Sequence, residues 1–183
     1  LLGGAGDDTL TLAGVGYTPQ NNKIISTVEI DGGTGTDTLD LSMGTSGAGQ
    51  TPITDYQGIK SIKGIDKLTV GDGTKLMATA ISGQKIELSG TNSKLNLKAE
   101  NGVDLSKISK AANDTVDINV NSVKSGNVNL SVANTSANTI KETVTLAKDA
   151  NKVSVKSFEK SYDKIAIDGV ANVNGTAQLF SHN

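Results

Sequence analysis

Aliphatic residues separated by a single polar residue recur in short runs along almost the whole chain. Leu10 and Leu12 flank Thr11, Leu39 and Leu41 flank Asp40, and Leu68 and Val70 flank Thr69. Ile86 and Leu88, Leu95 and Leu97, Val116 to Val120, Val128 to Val132, Val144 and Leu146, Val153 and Val155, and Ile165 and Ile167 repeat the pattern. Alternation at period two puts one face of a strand in a core and the other in water. The runs are short and closely spaced, with Gly, Asn, Asp or Ser between most of them. Strands at that spacing, without long helical patterns, predict an all-β chain. The helical signal is confined to Lys75–Ile81 and Leu105–Ala112, each long enough for two turns.

Composition narrows the architecture. Aromatics make up 3% of the 183 residues and Trp is absent, so a thick core is out of reach. Many thin strands, each burying a few aliphatics, suit such a chain better. The first apolar residue advances by 18 residues from Leu68 to Ile86, and by nine from Ile86 to Leu95 and from Val144 to Val153. Nine and eighteen match the half-turn and full turn of a small parallel β-solenoid, or β-roll. A β-sandwich is the alternative. At 36% apolar and a net charge of -2, the chain has the means to fold.

Several chemistries lose their basis. Cys is absent, which removes disulfides and thiolate metal sites. The one His, His182, leaves no Ser-His-Asp triad or zinc-His cluster to assemble. All 17 basic residues are Lys and the pI is near 5.4, which argues against nucleic acid as a partner. No run approaches a membrane-spanning length. There is neither an initiating Met nor a basic-then-apolar leader, and the chain starts inside a glycine-rich motif, so it reads as part of a larger protein.

Two nonapeptides carry the chemistry. Residues 3–11 read Gly-Gly-Ala-Gly-Asp-Asp-Thr-Leu-Thr, and residues 32–40 read Gly-Gly-Thr-Gly-Thr-Asp-Thr-Leu-Asp. Both satisfy the pattern GGxGxDxUx, with U a large aliphatic. The glycines permit positive φ and a tight turn that aims carbonyls inward. The Asp adds a carboxylate, and the set is the all-oxygen shell that calcium prefers. A dinucleotide fingerprint fits poorly, because no third glycine opens an apolar helix, and a P-loop lacks its Gly-Lys-Ser/Thr. The plain alternative is an ordinary hairpin turn.

These motifs resemble the RTX family, calcium-binding β-roll proteins exported by bacterial type I secretion. The matching nonapeptides cover about a tenth of the chain. The resemblance implies one calcium ion shared by the two loops, held by carbonyls of Gly4, Gly6, Gly32 and Thr34 and carboxylates of Asp8 and Asp37; the alternative is that each loop pairs with an upstream repeat or a degenerate downstream one. The loops are 29 residues apart, 11 more than an 18-residue turn, a surplus assigned to an insertion around Tyr17–Asn22. Gly44–Thr54 reads as a second insertion. Ala112–Asp117 and Val70–Gly73 look like degenerate repeats. Phe158-x(4)-Asp163-Lys164-Ile165-x-Ile167 is similar to a segment near the carboxyl end of RTX exoproteins.

Residues 1–57 thus read as an RTX-like calcium region and 58–183 as its β-solenoid continuation, within one continuous domain. Asp66, Asp104, Asp117 and Asp163 read as turn or surface residues rather than catalytic carboxylates. The Thr-rich faces, Thr9-Leu10-Thr11 and Thr36-Asp37-Thr38, reflect β-propensity rather than an ice-binding surface. No enzymatic activity is expected of this chain. Scarce nonapeptides among long Thr-, Ser-, Asn- and Lys-rich β segments look most like a bacterial surface-layer protein, secreted to the cell surface and self-assembling there. Lipopolysaccharide would then be met through another domain. The alternatives are the carboxyl-terminal export module of an RTX enzyme and an RTX adhesin segment.

Overall fold

The computed structural model describes residues 1–12, 23–24, 27–42, 53–131 and 139–169. Residues 13–22 and most of 44–54, the two expected insertions, lie outside the described residues, as does His182. Sixteen strands occur among the described residues: β1 (Leu2–Ala5), β2 (Thr9–Thr11), β3 (Val28–Thr34), β4 (Thr38–Leu41), β5 (Ile59–Lys63), β6 (Lys67–Val70), β7 (Thr74–Met77) and β8 (Ile86–Ser89). Then come β9 (Ser93–Lys98), β10 (Val103–Asp104), β11 (Ile108–Lys110), β12 (Val116–Val123), β13 (Gly126–Asn129), β14 (Glu142–Leu146), β15 (Val153–Lys156) and β16 (Lys164–Ile167). The chain is all-β.

Every pairing between these strands is parallel. The antiparallel hairpins from which a sandwich is usually built do not occur among them. Four open sheets result, in the orders β1-β3-β5, β2-β4-β6-β8-β11, β7-β9-β12-β14-β16 and β10-β13-β15. Each strand therefore pairs with its counterpart one pass later, and equivalent residues stack in columns. Leu10, Leu39, Leu68 and Leu88 form one inward column, and Leu76, Leu97, Val120, Val144 and Ile165 another. All but the terminal Leu10 and Ile165 are fully buried. These stacked aliphatics and the buried Tyr56 make one continuous core. The Tyr56 hydroxyl donates to the Leu41 carbonyl at 3.2 Å, and burial pushes its pKa up to about 12.

The column spacing corrects the expected 18-residue turn. One pass takes 29 residues from Asp8 to Asp37 and again from Asp37 to Asp66. It takes 23 from Asn96 to Asn119, whose side-chain amides bond on the outer face at 3.0 Å. The nine-residue intervals connect different sheets within a pass: Ile86 is in β8 and Leu95 in β9. Both expected helices are likewise replaced. Residues 75–77 belong to β7, followed by a single 3-10 turn, Ala78–Ala80, that packs on β5. Residues 108–110 form β11. In both places Leu76 and Ile108 gain more by joining a buried column than two isolated helical turns offer. Pairing also runs through the position of Gly58, since β3 pairs with β5.

Candidate cation-binding loops

The turns Gly3–Asp8 and Gly32–Asp37 lie directly on one another. Leu2 is in register with Asp31, Gly4 with Gly33, Ala5 with Thr34, and Thr9 with Thr38. The Gly6 N–H donates to the Thr34 carbonyl at 2.8 Å, and the Thr36 N–H donates to Asp7 Oδ1 at 2.8 Å. The Asp8 N–H donates to Asp37 Oδ1 at 2.9 Å. The 29-residue interval is thus one whole pass of the chain, and residues 13–22, to which its surplus was assigned, lie outside the described residues.

Glycine is required by this closeness. Gly33 has φ +99°, and a Cβ there would lie 1.9 Å from the Gly4 carbonyl oxygen. Gly35 has φ +133°, and its Cβ would lie 2.2 Å from that of Gly6. No side chain fits at either distance, and L-residues resist both dihedrals.

The next pass contains a third loop that pattern matching at the sequence level overlooked. Gly64-Ile65-Asp66-Lys67-Leu68 lacks the glycine pair but keeps Gly-x-Asp-x-Leu at the same 29-residue interval. The Asp37 N–H donates to Asp66 Oδ2 at 3.1 Å, while the N–H groups of Asp66 and Lys67 donate to the Asp37 carbonyl at 2.9 and 3.0 Å. Asp8, Asp37 and Asp66 form a ladder in which each later carboxylate accepts the backbone N–H of the Asp before it. The interval between Asp37 and Asp66 was the available signal.

Carboxylate oxygens not used by the ladder carry the functional interest. Asp37 is fully buried, and its Oδ2 has no hydrogen-bond partner; Asp8 Oδ2 is buried in the same condition. Each borders a notch, a place where only glycine can pack so closely against the next pass. A Cβ on Gly3 would meet the Gly32 carbonyl oxygen at 2.3 Å and Asp8 Oδ2 at 3.0 Å. A Cβ on Gly32 would meet the Gly64 carbonyl oxygen at 2.1 Å and Asp37 Oδ2 at 2.9 Å.

Of the six residues expected to share one ion, Asp8 and Gly32 meet at the first notch. The carbonyls of Gly4 and Gly6 face Gly33 and Gly35 in the adjoining loop, and that of Thr34 accepts the Gly6 N–H. Asp37 supports Asp8 through Oδ1 and turns Oδ2 to the second notch. No group of three or more His, Cys, Asp or Glu side chains suited to a metal occurs among the described residues, so carbonyls must supply much of any coordination shell here.

A second buried polar cluster lies near the other end. Glu142 occupies the inward column after Thr74, Leu95 and Ile118 and is fully buried. Its carboxylate accepts from the Ser131 N–H at 3.1 Å and the Ser131 hydroxyl at 2.9 Å. Burial pushes its pKa up to about 7, against the opposing effect of the Ser131 bonds. Asp163, in the carboxyl-terminal segment singled out above, is also buried; it accepts from the N–H groups of Glu142 at 3.1 Å and Glu159 at 2.8 Å. Burial raises its pKa as well. The alternation that marks Val144 and Leu146 extends to Glu142 on the same inward face, although nothing in it singled out a buried carboxylate.

The other expected repeats are turns. Asn113, at φ +68°, lies in the turn leading to β12, and Gly71–Gly73 leads to β7. A groove of about 510 Å³ borders the first of these, with Lys94, Lys110, Asp114, Asp117 and Lys141 among its walls. The buried Lys110 amine donates to the Asp114 carbonyl at 2.7 Å, which gives that charge a structural task in the turn. Compared with known protein families, curated proteins and solved structures, the chain matches none.

Proposed function

We propose that this chain is a parallel β-solenoid segment of a calcium-stabilised structural protein of a bacterial surface layer, exported by type I secretion and assembling with copies of itself outside the cell. The observation that carries the calcium reading is a buried, unpartnered carboxylate oxygen beside a glycine that packs tightly against a carbonyl oxygen of the next pass. A buried carboxylate oxygen without a partner costs stability until a cation or proton joins it. The ligand atoms are oxygen only, which favours Ca²⁺ over Zn²⁺. Asp8 and the Gly32 carbonyl would hold the ion, with the carbonyls of Gly4, Gly6 and Thr34 in the same two loops and Asp37 bonded behind Asp8. A bound Ca²⁺ supplies the positive charge that ties one pass to the next.

The structural role draws on the stacking of the passes. Parallel strands laid pass upon pass make a regular surface that suits contact between copies. A net charge of -2 opposes such contact little.

Electron microscopy of the parent protein tests this reading. Ordered sheets with calcium and dispersed units after EGTA support it. Dispersed, hydrolytically active protein in calcium would favour the export-module reading instead.

A further inference from the structure

We infer that the outer face of the sheet β7-β9-β12-β14-β16 is a docking surface for an acidic polysaccharide, a linear glycan that carries carboxylate groups. The face contains none of the glycine-rich loops, so the inference goes beyond the calcium reading and does not rest on it.

Register sets the polar side chains of this face in a row across the strands. Lys75, Asn96, Asn119, Thr143 and Lys164 are aligned on successive strands. Their neighbours Leu76, Leu97, Val120 and Val144 are buried, so the row faces outward. Four gaps of about 4.8 Å make it about 19 Å long. Asn119 Nδ2 donates to Asn96 Oδ1 at 3.0 Å, which ties the two amides together and leaves the Asn96 amino group and the Asn119 amide oxygen for a ligand. Lys94 and Asp117 are in register on one side of the row, and Lys98 and Asn121 on the other. The Lys141 carbonyl, just before β14, accepts the Ile118 N–H, which sets Lys141 beside Asp117.

Charge singles this face out. Lys75, Lys94, Lys98, Lys141 and Lys164 are all exposed. Against them stand Asp117 and Glu100, the latter paired with Lys98 at 3.2 Å. The outer face of β2-β4-β6-β8-β11 instead sets Lys67 against Asp40 and Glu87. The excess of cations belongs to a chain whose net charge is -2. Grooves flank the row on both sides. The one of about 510 Å³ has Lys94, Asp117 and Lys141 in its walls, and another of about 380 Å³ has Lys75, Asn96 and Lys98.

The side chains select among anions. Lysines attract the carboxylates of a glycan, while Asn amides and the Thr143 hydroxyl both donate to and accept from its hydroxyls. Nucleic acid calls for Arg and stacking aromatics, and the five strands carry neither. A peptide adds as a strand at a sheet edge, not on a face whose backbone is already paired. A lipid surface would find little to bury, since Met77 and Ala166 are the apolar side chains among the outward residues of these strands.

Calorimetric titration of the full chain, in calcium, with hyaluronan oligosaccharides tests the assignment. Wild type should bind them, more weakly as salt rises, and should not bind neutral maltooligosaccharides. Lys94→Glu combined with Lys141→Glu should weaken binding about tenfold. Asn96→Ala combined with Asn119→Ala should weaken it about threefold. Lys156→Glu, on the sheet β10-β13-β15, should leave it unchanged. Circular dichroism in the same buffer establishes that each variant is folded. Titrations with polyglutamate and with phosphatidylglycerol vesicles separate the glycan from other anions. No binding of hyaluronan oligosaccharides, equal losses for Lys156→Glu and the Lys94 and Lys141 pair, or binding of either other anion as tightly would overturn the proposal. Each of these results leaves the calcium loops standing.

Discussion

The backbone N–H of Glu142 donates to Asp163 Oδ1 at 3.1 Å across one pass of the chain. The bond has the same sense as those from Asp8 to Asp37 and from Asp37 to Asp66. In all three, an acidic residue at the entrance to a strand gives its N–H to a carboxylate in the next pass. The device therefore recurs at both ends of the stack, far outside the glycine-rich loops. At Glu142 burial also raises the donor residue's own pKa, which makes that end sensitive to pH.

Glu142 should make stability fall as pH rises. Its folded pKa, about 7, lies above its ordinary value of 4.5, so the folded state holds a proton that the unfolded state has released in that window. The contribution is fully present below pH 4.5 and is lost as pH rises to about 7; the raised Asp163 acts in the same direction. The shift corresponds to about 3 kcal/mol at most. Urea unfolding at pH 5 and pH 8 should show a smaller difference for Glu142→Gln than for wild type. An equal difference would show that Glu142 does not govern the slope.

Gly33→Ala should cost more than Gly73→Ala. Both glycines have positive φ, +99° and +80°, so each replacement carries a dihedral penalty of about 1 kcal/mol. Only at Gly33 does the new methyl meet a backbone oxygen, at 1.9 Å, whereas nothing lies within 4 Å at Gly73. Thermal melts should place Gly33→Ala lower by a further 1–3 kcal/mol, roughly the cost of overpacking. Equal melting temperatures would mean that the loops separate at little cost.

Asp66→Ala should destabilise the chain where Asp72→Ala does not. Asp66 accepts the N–H of the buried Asp37, and its removal leaves that donor without its carboxylate partner, at about 1–3 kcal/mol. Asp72 is an exposed turn residue. Chemical denaturation measures both, and similar effects would remove the ladder's claim to a structural role.

The strands were legible in the sequence because their signal is local. Leu39 and Leu41, or Ile118 and Val120, alternate with polar neighbours regardless of what lies across the sheet. The length of a pass was not legible, because it depends on how much chain each corner consumes. Ile86 and Leu95 are nine residues apart yet belong to different sheets, so their spacing imitated a half-turn. Lys75–Ile81 carried a helical pattern that a parallel partner on either flank of Leu76 outweighed. The loops Gly3–Asp8 and Gly32–Asp37 were recognisable from their glycines, whereas Gly64–Asp66 was hidden by the loss of two. Glu142 stood out least, since burial of a carboxylate is decided by Ser131 and Asp163, residues distant in sequence.

Hydrogen exchange with and without EGTA tests the central claim most directly. The amides of Gly6, Asp8, Thr36 and Thr38 bridge the first two passes. They should be protected in calcium and exchange first when it is removed, because a buried carboxylate oxygen is then left without a neutralising cation. Amides of β9 and β12, held by the aliphatic columns around Leu97 and Val120, should stay protected in both conditions. Unchanged protection of the four loop amides, or uniform loss along the chain, would contradict the account.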